Sequence, residues 1–149
     1  MELSAVERLA TELLSRHGLV AKGWSFGWDR AVRRAGACHY TRKRITISRK
    51  FAEQFPEPEV RETILHEIAH ALVGRRHGHD AVWRQKAREI GSLGERTHCF
   101  EFVQAPWALR CRNRCFSAPR HRRMSPERLR LLRCARCGST LETVEASSD

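Results

Sequence analysis

The chain has 149 residues and a formal net charge of +11 at pH 7, with 28 basic and 17 acidic side chains. This length suits one compact domain with a small second module. No apolar run of about eighteen residues is present, which excludes a membrane-spanning helix. Because Glu2, Glu7 and Glu12 are unlike a signal or transit peptide, we expect a cytoplasmic protein.

The N-terminal segment predicts an amphipathic helix. Apolar residues recur there at helical spacing, namely Leu3, Val6, Leu9, Leu13 and Leu14. Ser4 and Glu7 have the spacing of a capping box, and Gly18 is the expected stop.

Two segments with alternating side chains, residues 23–28 and 44–48, predict short strands. We expect the aromatic residues of the first, Trp24, Phe26 and Trp28, to face a core rather than a substrate.

A long helix is predicted between the proline-rich start at residues 56–59 and Gly74. Its apolar residues recur at helical spacing: Val60, Ile64, Leu65, Ile68, Ala69, Leu72 and Val73. Such a helix is largely buried, so polar residues within it need partners.

The most informative stretch of the chain lies on this helix, where His66, Glu67 and His70 form a His-Glu-x-x-His motif. Residues four apart share a helix face, so both histidines can bind one metal ion, and zinc suits imidazole ligands. Glu67 is then placed to take a proton from a metal-activated water. The alternative is a core helix whose two histidines are satisfied by hydrogen bonds.

A catalytic zinc site needs a third protein ligand and an open fourth position. His77 and His79 are both available, just before a helix predicted over residues 81–90. The placement of His79 at the junction of loop and helix favours it over His77.

Four cysteines form a second candidate metal site: Cys111, Cys115, Cys134 and Cys137. Two closely spaced pairs followed by Gly138 are typical of a structural zinc site. Disulfides are the competing interpretation, which an intracellular location disfavours. We expect Cys38 and Cys99, outside both pairs, to be buried small side chains.

Between residues 110 and 136 there are ten arginines and one acid, Glu127. Arginine suits phosphate oxygens and stacks on bases, so this segment predicts a sequence-tolerant DNA-binding surface rather than a merely solubilising one. The candidate contact residues are Arg112, Arg114, Arg120, Arg122 and Arg123. A boundary is expected near residues 105–106, after an apparent strand over residues 97–103.

The order of His66, Glu67 and His70, followed by a loop and then His79 and Trp83, resembles the SprT-like metalloprotease family. The resemblance extends over roughly residues 3–140. It implies that His79 is the third ligand and that Trp83 is a packing aromatic. Asp80 stands where the family usually has glycine, and it can cap the following helix.

This resemblance implies an α+β chain with a zincin-like metalloprotease domain of helices packed on a small sheet over residues 1–105. An arginine-rich four-cysteine zinc ribbon over residues 106–141 would follow, and the polar composition of residues 142–149 predicts a flexible tail. The resemblance further implies one catalytic and one structural Zn²⁺, with Glu67 as general base. The expected substrates are proteins bound or crosslinked to DNA, a DNA-repair role. The alternatives are a non-catalytic DNA-binding adaptor with a zincin-like domain and a metallohydrolase acting on another substrate.

Overall fold

The computed structural model describes residues 1–95 and 104–146, and the chain divides into two compact units, Met1–Val103 and Gln104–Asp149. The strand predicted over residues 97–103 and the predicted burial of Cys99 lie outside the described residues. Both units combine helices with a small sheet, so the predicted α+β class is confirmed.

The first helix, α1, spans Leu3–Arg16 and confirms the amphipathic prediction by burying Val6, Ala10, Leu13 and Leu14. Gly18, with a φ of +69°, ends it as predicted. The backbone N–H groups of Gly18 and Leu19 donate to the carbonyls of Ser15 and Leu14, each over 2.9 Å. This pattern satisfies carbonyls that the helix leaves open and needs a left-handed residue at the glycine.

The predicted capping box is wrong. The helix begins at Leu3 with Glu2 as its N-cap, so that Ser4 already lies inside the first turn. Glu7 accepts a hydrogen bond from the indole Nε1 of Trp28 over 2.6 Å. The Glu7 carboxylate therefore binds Trp28, which is distant in sequence, instead of capping the start of α1 as the local pattern predicted.

In the described part of the first unit, the sheet has three strands in the order β1-β3-β2: β1 at Ser25–Asp29, β2 at Gly36–His39 and β3 at Arg44–Ser48. Strand β1 runs parallel to β3, and β2 runs antiparallel to it. Ile45 and Ile47 are fully buried against the helices. The predicted strands are confirmed, and their aromatic residues pack against this core as expected.

Within residues 1–95, three further helices follow: α2 at Arg49–Gln54, α3 at Glu57–Val73 and α4 at Ala81–Glu89. A 3-10 turn lies at Val20–Lys22. The long helix and the helix after the histidine loop are both confirmed. Helix α3 places Val60, Ile64 and Ile68 in the core, while Gly74 ends it with a φ of +88°.

The second unit contains β4 at Trp107–Cys111, β5 at Ser117–Arg120, α5 at Pro126–Arg130 and β6 at Leu141–Glu145. Its sheet order is β5-β4-β6, with both neighbours antiparallel to β4. Residues 142–145, which the sequence assigned to a flexible tail, therefore lie in a strand. Pairing with β4 supplies backbone hydrogen-bond partners that the local sequence does not reveal.

Among residues 1–95 and 104–146, no helix is both long and apolar enough to cross a membrane.

Candidate metal centres

Three histidines converge in the first unit. His66 and His70 lie one turn apart on α3, and His79 lies in the loop before α4. The Nε2 atom of His79 is 2.9 Å from that of His66 and 3.1 Å from that of His70. A helix supplies two ligand atoms at fixed spacing, and the loop brings the third to the same point.

This arrangement fits a tetrahedral metal ion. Ligand nitrogens about 2.0–2.1 Å from one zinc ion are roughly 3.3 Å apart, which is close to the observed separations. Burial, and then the neighbouring His79, lower the pKa of His70 to about 4, against a smaller opposing effect of a hydrogen bond to the His77 backbone. His70 is therefore neutral near pH 7, as a metal ligand must be.

Trp83 lies against all three histidines. Its ring centroid is 4.6 Å from those of His66 and His79 and 5.1 Å from that of His70, with which it stacks at an interplanar angle of 27°. The side chain is completely buried. Trp83 therefore limits the orientations that the three imidazole rings can adopt.

Glu67 follows the first histidine on α3, and only 8% of the residue is exposed. Burial raises its pKa to about 8, while the charge of Arg34 lowers it and that of Asp29 raises it. A carboxyl group with a pKa near neutrality is suited to both accepting and releasing a proton.

A glycine on β2 allows the sheet to approach this carboxylate closely. A Cβ atom at Gly36 would lie 3.0 Å from Thr63 Cγ2 and 3.1 Å from Glu67 Cγ. Neither Gly36 nor β2 was predicted, because the four-residue strand has no clear alternation of apolar and polar side chains.

Cys38 lies on β2 and Tyr40 just after it, and the two side chains affect each other's pKa, as does the charge of Glu67. Burial raises the pKa of each to about 12, so both side chains keep their protons at neutral pH. Cys38 is half-buried, whereas the sequence predicted a buried side chain.

His77, the alternative third ligand, lies outside the histidine cluster. Its Nδ1–H donates to Asp80 Oδ2 over 2.8 Å. The other carboxylate oxygen, Oδ1, accepts the backbone N–H of Trp83 over 2.9 Å. Asp80 is therefore the N-cap of α4, which confirms its predicted capping role.

In the second unit, the sulfur atoms of Cys111, Cys115, Cys134 and Cys137 all lie within 4.8 Å of one another. The Sγ atoms of Cys111 and Cys137 are 3.5 Å apart. Four thiolates about 2.3 Å from a common zinc ion would be roughly 3.8 Å apart, so this cluster fits a tetrahedral metal site of the ribbon type.

Both cysteine pairs lie in tight turns. Arg114 has a φ of +56° before Cys115, and Gly138 has a φ of +71° after Cys137. Although removal from water raises the pKa of the Cys134 thiol, hydrogen bonds from the backbone N–H groups of Arg136 and Cys137 lower it to about 7. Such N–H donors favour the thiolate form that binds a metal.

The candidate DNA-contact arginines are all exposed, namely Arg112, Arg114, Arg120, Arg122 and Arg123. The guanidinium of Arg123 lies 5.3 Å from the ring centroid of Trp107. Arg112 is 3.8 Å from Glu142, which also pairs with Arg110 at 2.7 Å. The structure therefore presents these cations to solvent on the same unit as the cysteine cluster.

The SprT-like family model matches residues 6–102, which include the three histidines, Glu67 and Trp83. With helices on a small sheet and three imidazoles converging beside a buried carboxyl group, the chain has the architecture of a zincin-like metalloprotease-type domain. The chain belongs to the SprT-like family. Neither the curated proteins nor the solved structures compared with it gave a match.

Proposed function

We propose that the chain is a zinc-dependent metallopeptidase that hydrolyses peptide bonds. One observation carries the proposal: the Nε2 atoms of His66, His70 and His79 converge beside Glu67, which shares helix α3 with two of them. A purely structural zinc site has no use for a nearly buried carboxyl group next to its first ligand.

These histidines would hold zinc, which when bound would supply a Lewis acid to polarise the scissile carbonyl and the attacking water. Glu67 accepts the proton of that water as its oxygen attacks the carbonyl carbon. The same carboxyl group then delivers a proton to the leaving nitrogen as the peptide bond breaks. The histidine pair on one helix and the packing of Trp83 keep the site in place during both transfers.

We further propose that the substrates are proteins bound or crosslinked to DNA and that the second unit carries the DNA-binding surface. The exposed arginines of that unit support this proposal, because guanidinium groups bind phosphate oxygens in a bidentate manner. No sequence-reading helix was predicted there, so binding should depend on the DNA backbone and on salt. A catalytic and a structural Zn²⁺ per chain, and the cytoplasmic location, belong to the same proposal.

The decisive experiment is cleavage of an unstructured protein, with and without DNA, by the wild type, Glu67→Gln and the control Glu57→Gln. Glu57 is an exposed carboxylate in the first turn of the same helix. We expect Glu67→Gln to keep its zinc and lose cleavage, while the control cleaves like the wild type. Equal cleavage by all three proteins would remove Glu67 from the mechanism. DNA binding and a zinc-loaded histidine site without cleavage by the wild type would favour the adaptor.

A further inference from the structure

The Asp80 carboxylate connects two elements around the histidine cluster. One oxygen accepts the backbone N–H of Trp83 in α4, and the other accepts the side-chain N–H of His77 in the preceding loop. The loop between Gly74 and Asp80 also contains His79, whose ring reaches the histidine pair on α3. A single side chain thus ties this short loop to the start of the helix that follows.

Each partner of Asp80 is connected to the histidine cluster. His77 lies two residues before His79 in the same loop, so holding the His77 side chain restricts the path that brings His79 to the cluster. The indole of Trp83 packs against the rings of all three histidines at centroid distances of 4.6–5.1 Å. Asp80 is therefore connected to the cluster by two separate routes.

Groups that orient metal ligands control affinity without touching the metal. Fixing an imidazole ring before binding reduces the conformational entropy that binding costs. Changes to groups that hydrogen-bond a metal ligand directly typically weaken metal affinity about 10–100-fold, and Asp80 acts one contact further out, through His77 and Trp83. A glycine, which the family pattern usually has at this position, has no side chain with which to form either Asp80 hydrogen bond. The bridge is therefore a feature of this chain's own sequence.

We propose that Asp80 is a positioning residue of the histidine site, which it preorganises by holding His77 and Trp83 together. The inference rests on the proposed function in one respect, because it takes His66, His70 and His79 as the metal ligands. It goes further in assigning part of the metal affinity to a residue that contributes no ligand atom.

The test measures the zinc affinity of the histidine site by competition with a chromophoric chelator, with the four-cysteine cluster as internal reference. Three variants are compared: Asp80→Ser, His77→Ala and the double variant. Serine at position 80 retains an N-cap oxygen but is too short to form the hydrogen bond to His77. Glu89→Gln changes an exposed carboxylate of the same helix and is the matched control. Thermal unfolding of each metal-free protein shows whether the fold is retained.

We expect Asp80→Ser and His77→Ala each to weaken zinc binding about tenfold, the lower end of the range for direct partners of metal ligands, with no change in the control. Because both remove the same hydrogen bond, the double variant should be no weaker than the more affected single variant. If zinc affinity is unchanged in both single variants, Asp80 is only a helix cap and the proposal is overturned. The proposal is also overturned if the losses of zinc affinity in the two single variants add fully in the double variant. If the wild type binds zinc only through its cysteines, the proposed function fails as well, so the two failures are distinguishable.

Discussion

The Nε2 atom of His79 lies 2.9 Å from that of His66, although the two residues are thirteen positions apart and belong to different elements. The helix alone positions His66 and His70, whereas the third nitrogen depends on the path of the loop before α4. Metal binding by all three histidines should therefore require the correct tertiary structure as well as the His-Glu-x-x-His motif.

Metal content tests the assignment of the third ligand. We expect elemental analysis to give about two zinc ions per chain in the wild type and about one in His79→Ala, because a histidine pair without its third ligand binds zinc weakly. His77→Ala is the comparison variant in the same loop, and at saturating zinc it should retain about two despite its expected weaker affinity, because it keeps all three ligands. Loss of one zinc in His77→Ala but not in His79→Ala would reverse the assignment.

The stability of the metal-free protein should depend on the protonation of Glu67. Folded Glu67 has a pKa of about 8 against an ordinary value of 4.5, so between these values the folded chain holds a proton that the unfolded chain releases. The free energy of unfolding should therefore fall as pH rises through this range, by at most about 1.4 kcal/mol per pH unit.

Denaturant unfolding of metal-free wild type and Glu67→Gln between pH 6.5 and 8 isolates this effect. The lowered pKa of His70 also makes stability depend on pH near its ordinary value of 6.5, but His70 is present in both proteins, so its contribution largely cancels in the comparison. As pH rises, the free energy of unfolding of the wild type should fall relative to that of Glu67→Gln, because the amide has no proton to lose. Parallel pH profiles for the two proteins would contradict the raised pKa.

The ribbon arginines should make DNA binding salt-dependent. Changing Arg120, Arg122 and Arg123 together to alanine should weaken binding and reduce the slope of log affinity against log salt. The reduction should be roughly one unit for each phosphate group that the variant no longer neutralises. Fluorescence anisotropy over a range of salt concentrations measures both quantities.

The control for this triple variant removes the same charge from exposed positions of the first unit, by changing Arg8, Arg16 and Lys22 to alanine. Its salt slope should remain close to that of the wild type. If the control lowers the slope and the ribbon variant does not, the DNA-binding surface lies elsewhere.

Gly36→Ala should destabilise the first unit by about 1–3 kcal/mol, as is typical of overpacking in a core. The new Cβ would lie 3.0–3.1 Å from side-chain carbons of Ile47, Thr63 and Glu67. Gly78→Ala is the control, because a Cβ there meets no atom within 4 Å and Gly78 has no positive φ. Chemical denaturation compares the variants, and equal stabilities would show that β2 moves away at little cost.

Local sequence patterns correctly predicted the helices and caps that depend only on residues close together in the sequence. Helix α3 follows from its apolar spacing and Gly74, and the cap at Asp80 follows from residue type and position. The same kind of reasoning failed at Ser4, because a capping pattern inside a helix resembles one at its start. It also failed for residues 142–145, whose strand exists only through pairing with β4.

The sequence alone determined the chemistry available to this protein: two imidazoles and a carboxylate on one helix, two cysteine pairs and an excess of arginine. Helical spacing and residue type are local properties, so no fold is needed to recognise them. The tertiary structure brought His79 rather than His77 to the histidine pair and enclosed Glu67 beneath Gly36. These outcomes depend on loop path and on packing between distant segments, because ligand convergence and desolvation arise only when those segments meet.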